Sequence, residues 1–143
     1  MFNHAVWYDE AYSMAMIPHS FREICAITAQ DVHPPLYYFM LKLFTQPFHY
    51  SLAAAKIFSI LPFLLLIVLG YVKLSDIVNK KTGLLFSLMI ALLPIFSTFS
   101  VEIRMYGWAA LFVTGCGFFA YTAQRDEKPK DYLLFMLFGT LAA

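Results

Sequence analysis

Carboxylates, a histidine and an arginine are concentrated in three short windows of an otherwise apolar chain. The first is Trp7-Tyr8-Asp9-Glu10-Ala11-Tyr12-Ser13. The second is Asp31-Val32-His33-Pro34-Pro35-Leu36-Tyr37-Tyr38, and the third is Glu102-Ile103-Arg104-Met105-Tyr106. A carboxylate can take a proton from a weak oxygen nucleophile, and an arginine can meet developing phosphate charge with paired hydrogen bonds. His33 can donate to a phosphate or, with Asp31, supply part of a divalent-metal site. A residue before proline is held extended, so His33 is presented on a stiff segment rather than inside a helix. Bland readings stand beside these: Asp9-Glu10 as a solvated loop, and Glu102 with Arg104 as an interfacial ion pair. Ionisable groups at membrane depth are costly and often functional, which keeps the chemical reading open. His4, His19 and His49 have no comparable context and read as ordinary interfacial residues.

The elements that must position these windows are membrane helices. Of 143 residues, 61% are hydrophobic and 13% charged, and the mean hydropathy is +0.68. A soluble domain carries roughly a quarter charged residues, and a chain this small has too little interior to hide such an apolar excess. A soluble, disordered, collagen-like or disulfide-stapled protein is excluded. The net charge of +1 makes no field for nucleic acid. Cys25 lies in a polar stretch and Cys116 in an apolar run, so no disulfide between them is expected.

The expected fold is all-α: a polytopic transmembrane helical bundle with a short interfacial helix in the first extracytoplasmic loop. That loop covers residues 1–55 and its interfacial helix 34–48, bounded by prolines and carrying Lys42 mid-length. Spans are expected at about 56–77, 83–101 and 105–124, with a truncated span opening at 132 and cut by the C-terminus. Lys73 at the end of the first span can snorkel to the interface. Asn79-Lys80-Lys81 and Arg125-Asp126-Glu127-Lys128-Pro129-Lys130 flank the spans on one side, and basic loops mark the cytoplasmic face. Residues 1–55 and the turn at 100–106 then share the opposite, extracytoplasmic face. Tyr37, Tyr38, Tyr106 and Trp108 fall near the boundary, where aromatic belts form. Gly115 and Gly117 are places where helices could approach closely.

In their order and sidedness, the three windows resemble the N-terminal part of the polyprenyl-phosphate-dependent membrane glycosyltransferases of the GT-C class. The branch that looks most similar holds bacterial relatives of protein O-mannosyltransferases and aminoarabinose–lipid A transferases. The resemblance spans roughly residues 5–124. It implies transfer of a sugar from a lipid phosphate to an acceptor hydroxyl on the outer face, by an inverting displacement. Asp9 matches the family's catalytic acid and is expected to act as base, with Glu10 orienting the acceptor or the loop. Arg104 matches the Glu-x-Arg-x-Tyr position and is expected at the donor phosphate, with Glu102, Tyr106 and His33 around it. Asp31 and His33 are the candidate metal ligands, a divalent metal being the one cofactor implied. The partners implied are the bilayer, a polyprenyl-phosphate-linked sugar and a lipid, glycan or protein acceptor, with no nucleic acid. Family members usually carry a helix before the Asp-Glu loop and many spans after, so the chain reads as a fragment. A non-catalytic membrane subunit or transporter fragment, and a metal-assisted phosphatase or ligase on lipid phosphates, are the rival classes.

Overall fold

The computed structural model describes residues 7–30 and 34–142, and no strand occurs among them. The chain divides into two compact units, residues 1–60 with 101–105 and residues 61–100 with 106–143.

In the first unit three helices occupy what was expected to be mostly loop. Helix α1 is Tyr8–Met16. The Trp7 N–H donates to Glu10 Oε2 at 3.2 Å, and Asp9 and Glu10 place negative charge in the first turn, where the helix dipole favours it. Pro18, just beyond its end, has no N–H to continue the ladder. Helix α2, Phe21–Thr28, opens on a Ser-x-x-Glu capping box. There the Ser20 N–H donates to Glu23 Oε2 at 2.7 Å and the Glu23 N–H returns to Ser20 Oγ at 3.3 Å. Helix α3, Leu36–Thr45, is followed by a 3-10 turn, Gln46–Phe48, so the stretch expected as one helix over 34–48 is divided near Pro47. His49 and Tyr50 then take positive φ, 52° and 56°, to turn the chain into the next helix.

Burial corrects one expectation for α3. Tyr37 and Tyr38 are 4% and 1% exposed and form part of the core with Met16, Ile17, Ile24, Leu41, Phe58 and Ile103, not an aromatic belt. Their rings meet edge-on at 5.4 Å, with Tyr12 packing on Tyr38 at 6.1 Å and Phe58 beside Tyr37 at 6.1 Å. Lys42 is not a surface lysine either. Its Nζ donates to the carbonyls of Ile17 at 2.9 Å and His19 at 2.8 Å, a cation closing the C-terminal end of α1.

Helix α4, Leu52–Ile77, is the one helix among the described residues long and apolar enough to cross a membrane. Helix α5, Lys80–Leu92, starts where Asn79 Oδ1 accepts the Thr82 N–H at 2.9 Å. The span expected at 83–101 is broken. Leu93 is extended (ψ 125°), and α6, Pro94–Ser100, leaves α5 at 60°. The cause is Pro94, whose ring disfavours helical backbone in the residue before it and which has no N–H to donate. Counted as one bent span, α5 and α6 make a second candidate crossing.

Helix α7, Tyr106–Asp126, has the expected position but not enough apolar character to count as a candidate crossing. Helix α8, Pro129–Ala142, begins three residues before the apolar run it was expected to follow. The two pack through Phe138, whose ring lies 6.1 Å from Phe112 and 5.1 Å from Phe119. A side chain at Gly115 would collide with Phe138, whereas one at Gly117 would meet nothing, so of these two Gly115 alone serves close packing. Both cysteines are free.

Candidate active site

Residues 101–105 join the first unit as a tight turn in which the Arg104 N–H donates to the Glu102 carbonyl at 2.9 Å. Between them, Ile103 is 0% exposed and anchors the turn in the core. Its backbone N–H donates to Glu10 Oε1 at 3.1 Å, a bond spanning 93 positions of sequence. Glu10 thus spends one oxygen on the start of α1 and the other on this turn, and it is 5% exposed. Both oxygens are therefore engaged by backbone N–H groups, one at the start of α1 and one in the turn.

That tether brings the neighbouring side chains together. Asp9 Oδ2 lies 3.7 Å from Arg104 Nη2; the Arg104 side chain is 10% exposed and that of Asp9 62%. A largely buried guanidinium therefore stands beside a carboxylate open to incoming groups. Glu102 belongs to the same cluster. Partial burial raises its pKa above the ordinary carboxylate value, the charges of Glu10 and Asp9 add to this, and Arg104 opposes it. Burial likewise pushes the Tyr37 phenol well above its usual range, within the electrostatic reach of Arg104 and Glu10.

Four of the residues singled out from sequence, Asp9, Glu10, Glu102 and Arg104, are thus gathered in one unit. Tyr106 is the first residue of α7 in the second unit, where its ring packs edge-on against Phe99 at 5.5 Å. Asp31 and His33 lie outside the described residues. Among the described residues no three His, Cys, Asp or Glu side chains come together as a metal ion would need. Two features escaped the sequence reading: the buried Lys42 clamp, and Lys56, which sits within α4 and is 4% exposed. Lys56 fell at the expected edge of a span, where a lysine is ordinarily assigned to the interface.

No curated protein and no solved structure matches this chain. The family model described as dolichyl-phosphate-mannose-protein mannosyltransferase matches residues 32–143. The match takes in His33 and the Pro-Pro step, the turn bearing Glu102 and Arg104, and every helix from α3 onward; it begins beyond Asp9 and Glu10. It covers well over half of the chain, and the long apolar α4 is what a membrane-embedded enzyme of this kind requires. The chain belongs to the dolichyl-phosphate-mannose-protein mannosyltransferase family of GT-C-type membrane glycosyltransferases.

Proposed function

We propose that this chain is part of a polytopic membrane glycosyltransferase that moves a hexose from a polyprenyl-phosphate donor to an acceptor hydroxyl on the extracytoplasmic face. The observation that carries the reading is the Asp9–Arg104 pair, an exposed acid at 3.7 Å from a largely buried arginine. In the reaction, the acceptor oxygen attacks the anomeric carbon as its proton passes to Asp9. The bond from that carbon to the phosphate oxygen breaks, and the electron pair leaves with the polyprenyl phosphate. Arg104, turning from Asp9, meets the charge gathering on the phosphate. Attack opposite the leaving group inverts the anomeric centre.

Glu10 positions Arg104 through the Ile103 N–H. Glu102, its pKa raised, supplies a hydrogen bond to the sugar or steadies Arg104. The family resemblance also assigns His33 and Tyr106 to the donor phosphate, and Asp31 with His33 to a divalent metal. The basic loops at 79–81 and 125–130 support a cytoplasmic side opposite the site. The family's name makes a mannosyl prenyl phosphate the first donor to try.

The test is sugar transfer by the full-length protein in lipid, with labelled mannosyl prenyl phosphate and a panel of lipid, glycan and peptide acceptors. Transfer that is lost in Asp9→Asn and Arg104→Ala, with both variants still inserted, supports the reading. Release of inorganic phosphate without sugar transfer would assign the site to a lipid phosphatase instead.

A further inference from the structure

We propose that Lys42 is a positioning residue of the candidate site, holding the far end of α1 so that Asp9 keeps its place beside Arg104; this rests on the glycosyltransferase reading above. Helix α1 has little apolar purchase of its own. It has nine residues, too few for a helix to persist in water without packing. Of the side chains it buries, Glu10, Ser13 and Met16, only Met16 is large and apolar, and Ile17 at its C-cap adds one more. Between its ends Tyr12 meets Tyr38 edge-on at 6.1 Å. Much of the fixing of α1 therefore falls to polar anchors at its two ends.

One anchor is the Glu10 carboxylate, which takes the Ile103 N–H at 3.1 Å. The other is Lys42, buried on α3. Its Nζ donates to the Ile17 carbonyl at 2.9 Å and the His19 carbonyl at 2.8 Å, on either side of Pro18, and to the Tyr50 hydroxyl at 3.5 Å. The three protons of the ammonium are thus all in use. The Phe21 and Tyr50 rings lie 5.8 Å and 5.4 Å from it. The corner between α1 and α2 is wrapped around this one cation. Without it, two inward carbonyls lose their donor and the negative end of α1 loses its counter-charge.

A lever links this corner to the chemistry. Asp9 and Ile17 stand at opposite ends of α1, about 12 Å apart at about 1.5 Å of rise per residue. A tilt of about 5° at the Lys42 end moves Asp9 by about 1 Å, and a reacting group misplaced by about 1 Å can lose about 100-fold in rate. Arg104 stands on a different segment of the same unit, the turn at 101–105, so a tilt of α1 is not automatically shared by its partner.

The experiment compares full-length wild type in nanodiscs with Lys42→Met, Lys42→Gln, Lys42→Arg and a control, Thr45→Ala. Thr45 is buried on the same helix, but its hydroxyl donates to the Leu41 carbonyl at 2.7 Å, within α3. Sugar-transfer kinetics are read beside hydrogen exchange at the Ile103 amide, which reports the Glu10 tether. Lys42→Met is expected to lower kcat about 10- to 100-fold, with a much smaller rise in the donor KM, because the base moves more than the arginine. Exchange at Ile103 should quicken about tenfold as α1 pulls away from the turn. Thr45→Ala should leave both near wild type. Lys42→Arg, which keeps cationic donors for the two carbonyls, should recover most of kcat. Helicity and thermal midpoint show whether each variant is folded; if Met misfolds, Gln carries the comparison. A folded Lys42→Met or Lys42→Gln with wild-type kcat overturns the inference. So does a fall in kcat that leaves Ile103 protected, that Thr45→Ala shares, or that is outweighed by the rise in donor KM. If wild type transfers no sugar, the transferase reading falls by itself, and the Ile103 amide still decides whether Lys42 holds α1 against the turn.

Discussion

The two units each hold a cluster of charges, and the clusters are built differently. In the second unit, Lys73 lies 3.6 Å from Asp131 and 4.0 Å from the Phe119 ring, while Thr122 bonds both Lys73 and Asp131 at 3.3 Å. Beside it Arg125 reaches Asp76 at 2.7 Å and Asp126 at 2.6 Å, and Lys128 reaches Asp126 at 2.9 Å. These bonds lower the Asp126 pKa and raise that of Arg125, so the charged forms are locked in. The small cavity there, about 200 Å³, is walled largely by the same paired groups. Such a cluster ties the end of α4 to the α7–α8 connection.

In the first unit the Asp9 carboxylate is well exposed and stands 3.7 Å from Arg104, and three carboxylates share the neighbourhood of that arginine. The difference separates a tether from the proposed reaction centre. Compensated charge stabilises, whereas an exposed acid beside a largely buried cation is open to a ligand and to proton exchange.

Variants in the two clusters should therefore fail in different ways. The largest effect expected is from Asp9→Asn, which removes the proposed base and should cut sugar transfer by about 100- to 10,000-fold. The thermal midpoint should stay near wild type, because Asp9 is exposed; a parallel fall in stability would erase the contrast between the clusters. Asp131→Ala should do the reverse. It strips the carboxylate partner from the half-buried Lys73 and should cost about 1–3 kcal/mol in chemical denaturation, with the donor KM of the surviving folded protein unchanged.

Glu10→Gln lies between the two. Losing the charge that accepts the Trp7 and Ile103 N–H groups should cost about 1–2 kcal/mol. It should also raise the donor KM, since the turn carrying Arg104 is loosened. Stability lost without any kinetic change would reduce Glu10 to a helix cap.

The smallest effect concerns pH. The Glu102 pKa is raised above its ordinary 4.5 in the folded protein, so the native state binds the proton more tightly than the unfolded chain. This contribution is full below pH about 4.5 and is lost as pH rises through the folded value. Denaturation of Glu102→Gln across that window should show a flatter pH dependence than wild type, and identical curves would remove Glu102 from the cluster's electrostatics.

Several features follow from residues read in order. The apolar excess demands a bilayer. Ser20 with Glu23 marks a helix start, and Asn79 marks another. Pro94 marks the break at Leu93 by disfavouring helical backbone before it, although hydropathy alone joined the two halves and Pro62 sits inside α4 without ending it. Each of these signals acts within about four residues, the reach of a helical turn.

The candidate site lay beyond that reach. Asp9, Glu102 and Arg104 could be named from their windows, but nothing local said that Glu10 would bond the Ile103 N–H or that Ile103 would be the anchor. Hydropathy could not tell Tyr37 and Tyr38 in a core from the same rings at an interface. Nor could spacing separate Gly115, pressed by Phe138, from Gly117, which meets nothing. Lys42 and Lys56 look alike along the chain, yet one closes a helix end and the other stands buried at a helix start. Burial and partnership depend on which distant segments pack together, and that is set by the summed fit of many weak contacts rather than by any short run of residues.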